Sequence, residues 1–218
     1  MSAKAVQTML LEAGYDPGPL DGVIGKKTLA ALADALKSAA KSENGPALAW
    51  GAKVSRPFRE AVRSMAARLG MSADHLMAVM AFETGETFSP SIRNAAGSGA
   101  VGLIQFMPTT AKSLGTTAGD LAKMDAISQL EYVERYLRPY SGKMRDVADA
   151  YMAVLYPRGI GIGLDSVLWD QWKWPTTYRQ NAGLDANRDN RITKREAADK
   201  VIAKLAKGMQ DGNIWRPE

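Results

Sequence analysis

Apolar residues recur at helical spacing along most of this chain. Ser2 is a suitable cap for a first helix, with Val6, Met9 and Leu10 on one face. The run GYDPGPLDGVIGKKT (14–28) carries four glycines and two prolines and demands turns. A second helix should follow, with Leu29, Leu32 and Leu36 in step and Thr28 as its cap. The stretch 43–56, with Asn44, Gly45 and Pro46, reads as a linker. Pro57 then suits a helix start, with Phe58, Val62, Met65 and Leu69 on its apolar face and Gly70 ending it. Ser72 caps the next helix, and further helical patterns cover 108–114, 125–137, 146–155 and 193–209. Strand signals are weak, apart from a hairpin-like stretch within 92–103. Residues 157–181 are loop-rich; their Trp169, Trp172 and Trp174 could stack on sugar faces, but closing a core is the favoured expectation. The fold class is mainly α, divided as 1–42, linker 43–56 and 57–218.

Composition narrows the chemistry. Hydrophobic residues make up 46% and charged residues 23%, as in a globular protein. Nothing approaches the 18 or so consecutive apolar residues of a membrane span, so no membrane insertion is expected. The first residues lack a secretory pattern, which predicts synthesis in the cytoplasm. The chain has no cysteine, which excludes disulfide scaffolds, thiolate zinc sites and cysteine nucleophiles. The single histidine, His75, is too few for a zinc hydrolase and is expected to need no function. Carboxylates are what remains. The net charge of +5 favours anionic partners, yet no nucleic-acid-binding signature accompanies it, and nucleic acid is not expected.

One carboxylate stands out. Leu76, Val79, Met80 and Glu83 fall at i, i+3, i+4 and i+7, which places Glu83 on the apolar face of its helix. Burial there raises a carboxyl pKa, and the negative end of the helix dipole disfavours the anion further. A carboxylic acid kept protonated near neutral pH is what general acid catalysis requires. The competing reading is a frayed helix end with Glu83 in water.

The flanking residues read ETGETFSPSIRN from Glu83 to Asn94 and GAVGLIQFMP from Gly99 to Pro108, followed by Thr109, Thr110 and Ala111. This order of elements resembles the core of the soluble lytic transglycosylase and goose-type lysozyme families. The resemblance implies a lysozyme-like helical fold that cuts the β-1,4 bond between N-acetylmuramic acid and N-acetylglucosamine. It makes Glu83 the catalytic acid and puts Gln105 and Met107 in the sugar cleft. No catalytic cofactor is implied, and the partner is peptidoglycan. A later family element, A-x-Y-N-A-G, is met here by DAYMAV (149–154), where the tyrosine, Tyr151, matches but Met152 and Val154 stand in place of the asparagine and glycine. Tyr151 is therefore either a cleft residue or a core tyrosine that shares a face with Val147, Val154 and Leu155. Glu86 is the obvious second carboxylate, but its place beyond Gly85 gives no reason to set it across a substrate. Asp120, Asp146 and Asp149 are no better supported. Hydrolysis and internal transglycosylation both stay open.

Two further motifs lie outside this core. The turn run 14–28 resembles the peptidoglycan-binding module pattern G-Y-x-P-G-P-x-D-G-x-x-G-x-x-T, truncated at its start. With the catalytic motif it resembles a modular, monomeric phage endolysin that acts on the cell wall from the periplasm. A non-catalytic wall-binding or phage-tail protein is the alternative. Near the end, DANRDNRITKRE has the twelve-residue EF-hand spacing. Asp185, Asn187 and Asp189 stand at positions 1, 3 and 5, Arg191 offers its carbonyl at 7, Thr193 stands at 9 and Glu196 at 12. Asn190 replaces the usual glycine at position 6 and tolerates the left-handed turn. Structural calcium is the expectation; a capping turn without metal is the alternative.

Overall fold

The computed structural model describes residues 2–32, 34, 46–94 and 97–217, and the chain forms two compact units, 1–46 with 216–218, and 47–215. In the smaller unit, α1 (Ala3–Glu12) starts at Ser2, whose hydroxyl accepts from the Ala5 amide at 3.2 Å. Residues 26–32 are helical (α2). The buried side chain of Gln7 organises the turns between them. Its Oε1 accepts from the Gly22 amide at 2.8 Å, and its Nε2 donates to Asp21 Oδ1 at 3.0 Å and to the Val23 carbonyl at 2.9 Å. Thr28 lies inside α2 and does not cap it; its hydroxyl donates to the Pro17 carbonyl at 2.9 Å. Thr28 and Ala31 face inward, whereas Leu29 is 55% exposed and Leu32 is exposed too. The expected leucine face therefore points outward, because a unit this small fills its interior with turn backbone and the Gln7 network. Leu36 lies outside the described residues.

The larger unit is mainly helical, built around α4 (Ala73–Glu83). Every residue from Leu76 to Ala81 is buried, so α4 is covered on all sides rather than striped. Its cover comes from α3 (Arg56–Leu69), α8 (Val147–Leu155) and α10 (Lys194–Gly208), while α7 (Ala126–Leu137) packs against α3. Caps fix the ends. Ser55, Ser72, Asp125 and Asp146 accept amide bonds at the starts of α3, α4, α7 and α8. Thr193 and Glu196 form a reciprocal capping box on α10. Short helices α5 (Pro108–Ser113), α6 (Ala118–Leu121) and α9 (Pro175–Asn181) fill the connections. Strands β1 (Val167–Asp170) and β2 (Arg191–Thr193) pair antiparallel, with Trp169 opposite Ile192 and Asp170 opposite Arg191. The hairpin-like stretch is reduced to isolated bridges, Arg93 with Val101 and Val101 with Phe106.

The expected linker 43–56 is shorter than its composition implies. Leu48, Ala49 and Trp50 are fully buried, and Leu48 exchanges backbone bonds with Trp215 at 2.9 and 3.0 Å. Trp50 also donates its indole N–H to the Lys204 carbonyl at 2.8 Å. Residues 43–45 of that stretch lie outside the described residues. The tryptophans of the loop-rich stretch likewise divide: Trp169 of β1 is buried, but Trp172 and Trp174, in the turn directly after β1, are exposed. A buried ion pair, Lys194 with Asp149, ties the start of α10 to α8, and Lys194 also donates to the Ile162 carbonyl at 3.0 Å.

The contact of α10 with Trp50 leaves no room for a side chain at Gly208, where a Cβ would lie 2.4 Å from the indole ring. Gly208→Ala is expected to cost about 1–3 kcal/mol through overpacking. Gly183→Ala, at an open position, should cost nothing comparable. Thermal melting of the two variants checks this.

Candidate active site

Glu83 closes α4, and its position is set by the turn that follows. The Thr84 hydroxyl, fully buried, donates back to the Met80 carbonyl at 2.7 Å and accepts from the Phe88 amide at 3.0 Å. The Glu86 amide donates to the Ala81 carbonyl at 2.7 Å, and Gly85 and Glu86 both take positive φ, 59° and 73°. Glu86 is held there from α10. Lys204 pairs with its Oε1, and Lys207 reaches Oε2 at 2.7 Å. These lysines keep the Glu86 carboxyl below its ordinary range.

Glu83 has the opposite environment. Removal from water pushes its carboxyl from 4.5 up to about 7. Two tyrosines share this desolvated patch. Tyr151 of α8 is buried and packs edge-on against Phe82 at 5.4 Å; burial raises its hydroxyl, and the Glu83 charge raises it further. Tyr136 of α7 is pushed up to about 12 by burial, then by Tyr140 and Glu83. Its hydroxyl donates to the Ala153 carbonyl at 3.1 Å, at the end of α8. The fold thus gathers Glu83, Tyr151 and Tyr136. Tyr136 belongs to no motif, and the sequence marked it only as one more residue of an amphipathic helix.

The GLIQ turn is fixed by a buried side chain that sequence reasoning also missed. Gln129 of α7 accepts from the Leu103 amide at 2.7 Å and donates to the carbonyls of Pro90 and Leu121 at 2.9 and 2.8 Å. Gly102 (φ +82°) lies so close that a Cβ would meet Gln129 Oε1 at 2.3 Å. Gln105, also at positive φ, donates its side-chain amide to the Gly102 carbonyl at 3.1 Å and to the Ile92 carbonyl at 3.3 Å. Its amide N–H groups therefore bracket the turn that carries it. Met107 is the cap residue of α5 and is 44% exposed.

The other candidate carboxylates are engaged elsewhere. Glu86 is bound by lysines. Asp149 takes Lys194 and the Gly161 amide, Asp146 caps α8, and Asp120 accepts from the Thr117 hydroxyl at 2.6 Å. In the loop 185–196, Asp185 Oδ2 accepts from the Tyr178 hydroxyl at 2.7 Å and the Asn190 amide at 3.0 Å. Glu196 Oε2 serves the Thr193 amide and hydroxyl. Asn187 and Asp189 accept from the amides of Asp189 and Arg191, both at 2.9 Å, while Arg191 and Thr193 lie in β2. Among the described residues, no three histidines or carboxylates come together as a metal site.

A carboxyl raised to about 7 at the end of a buried helix is suited to general acid catalysis. The chain matches the Transglycosylase SLT domain family over residues 60–201, about two thirds of its length, and belongs to that family. It is a lytic-transglycosylase-type enzyme directed at glycan strands. The matched region contains Glu83, the GLIQ turn and Tyr151. No curated protein matches the chain.

The raised pKa of Glu83 has a stability signature. Between pH 4.5 and about 7 the unfolded chain releases this proton while the folded chain keeps it. Folded-state stability therefore falls through that window and levels off above it, by about 3 kcal/mol for the whole shift. Melting wild type and Glu83→Gln across this range should show the variant gaining relative stability as pH rises. A constant difference would show that Glu83 is not desolvated.

Proposed function

We propose that this enzyme cleaves the β-1,4 bond between N-acetylmuramic acid and N-acetylglucosamine in peptidoglycan, with Glu83 as the one acid and base. Protonated Glu83 gives its proton to the glycosidic oxygen as the C1–O bond breaks. The resulting carboxylate takes the proton of the muramyl C6 hydroxyl, whose oxygen bonds to C1 and closes a 1,6-anhydro ring without consuming water. The observation that carries this reading is Glu83 itself, desolvated beside Tyr151 and Tyr136. The engagement of Glu86, Asp120, Asp146 and Asp149 elsewhere favours the internal hydroxyl over a water activated by a second carboxylate. Gln105 and Met107, on the turn held by Gln129, would supply sugar contacts beside it.

The smaller unit supports a wall-attaching role: its Gln7-centred turns follow the module pattern, and a pocket of about 240 Å³ opens among Gln7, Pro17, Asp21, Val23 and Lys27. The combination fits a phage endolysin. Among the described residues no helix is long and apolar enough to cross a membrane.

Glu83→Gln should lower muropeptide release from purified sacculi by at least about 100-fold with the fold retained, since general acid catalysis is worth that much or more. Mass spectrometry of wild-type products should find 1,6-anhydro ends, lighter than hydrolytic ends by one water. Full activity in the well-folded variant would overturn Glu83 as the catalytic acid.

A second reading concerns the loop 185–196. Asp185 Oδ1 and Glu196 Oε1, at positions 1 and 12 of the EF-hand spacing, are buried oxygens without hydrogen-bond partners. Two such acceptors are costly unless a cation meets them, and Arg188 and Asn190 already take positive φ, 61° and 66°. Calcium held by Asp185, Asn187, Asp189, the Arg191 carbonyl, Thr193 and Glu196 would stabilise the start of α10 and take no part in catalysis. Millimolar calcium is expected to raise the melting temperature of wild type and not of Glu196→Gln, which retains the means to form the capping box. Equal shifts in both would overturn the site.

A further inference from the structure

The turn after β1 presents two tryptophans where the protein's own core has no use for them. Trp172 is 63% and Trp174 37% exposed, although tryptophan is among the most buried side chains on average. The turn is rigidly built. Asp170 Oδ1 accepts from the amides of Trp172 and Lys173 at 3.0 and 2.6 Å, and the Asp170 carbonyl accepts from the Trp174 amide at 3.0 Å. The Gln171 amide donates to the Asn190 carbonyl at 3.1 Å, extending the β1–β2 pairing. Below it, buried Trp169 packs edge-on against Tyr156 at 5.0 Å, just past the end of the helix that carries Tyr151.

Each exposed ring also has a cation over it. The Arg191 guanidinium lies 5.9 Å from the centroid of Trp172, and the Lys173 ammonium lies 4.5 Å from that of Trp174. A cation on one face steadies an indole while the rest stays open to solvent. The outcome is an aromatic surface with a cation at each ring; exposed Arg179 and Arg188, with exposed Asp189 beside the latter, lie on the neighbouring segments. Indole faces stack on the C–H faces of pyranose rings, and the cations complement carboxylates. A glycan strand whose muramyl units carry acidic stem peptides offers both features at once.

We propose that Trp172 and Trp174, with Arg191 and Lys173, form a second glycan-binding surface, which holds an acidic peptidoglycan strand outside the Glu83 site. The proposal rests on the peptidoglycan reading above for its ligand, but not on the catalytic role of Glu83. The full chain carrying Glu83→Gln is the form to test, since it leaves the strand intact. A soluble tetrasaccharide of alternating N-acetylglucosamine and N-acetylmuramic acid bearing stem peptides is titrated while indole N–H signals are followed by 1H–15N NMR, assigned with Trp172→Phe and Trp174→Phe. The Trp172 and Trp174 signals should move, and those of buried Trp50 and Trp169 should stay. Sedimentation with sacculi should weaken about tenfold or more when Trp172→Ala and Trp174→Ala are added, as for hot-spot aromatics, with the melting temperature held. Static Trp172 and Trp174 signals at saturating tetrasaccharide, or unchanged sedimentation, would overturn the proposal. So would movement of these signals only with phosphatidylglycerol vesicles, which would make the surface a membrane contact. Failure of the catalytic reading would appear separately, as absence of muropeptide release by wild type.

Discussion

Keeping one carboxyl dry at the end of a buried helix is the constraint on which the rest of this structure depends. An acid with a pKa near 7 needs a carboxyl largely withdrawn from water, and the end of α4 provides this because α3, α8 and α10 cover the helix. The helix is accordingly apolar all round, from Leu76 to Ala81. Glu83 is the one ionisable residue at its far end. Three residues on, Glu86 meets two lysines and stays ionised, so neighbouring acids of the same type are driven in opposite directions by burial and by charge.

Polar side chains inside the protein hold the surroundings of that acid in place. Gln129 satisfies three backbone groups from segments far apart in sequence, and Thr84 fastens the turn beneath Glu83. The Lys194–Asp149 pair joins the start of α10 to α8, and the Tyr136 hydroxyl joins α7 to the end of α8. Such buried groups are costly if left unpaired, so each favours one arrangement over its near alternatives. The tyrosines around Glu83 are positioned by these connections more than by the motif that contains Glu83.

The segments that close the larger unit follow the same logic at its periphery. Leu48 and Trp215 pair across the two ends of the unit, Trp50 lies against the last turn of α10, and the guanidinium groups of Arg59 and Arg63 lie 4.9 and 4.8 Å from the Trp215 ring centroid. The helix that supplies Lys204 and Lys207 to Glu86 is thus held at both ends, by the Thr193–Glu196 capping box at its start and by Trp50 at its finish.

By itself the sequence determined the features that depend on neighbours along the chain. Periodicity placed the helices of the larger unit, and Ser72 marked the start of α4, because a cap acts on amides only two or three residues ahead. The i to i+7 pattern placed Glu83 on an apolar face, and the order of residues from Glu83 to Pro108 carried the family. What tertiary structure alone decided were matters of which surfaces meet. Leu29 and Leu32 read as core but face outward, while 48–50 read as linker but lie in the core. Trp172 and Trp174 share a composition with Trp169 yet emerge on the other side of a turn. Tyr136 and Gln129 gain their places from partners tens of residues away, a pairing that no local pattern records. The reason is physical: burial and desolvation belong to the assembled surfaces, and the same side chain is core or surface according to what folds over it.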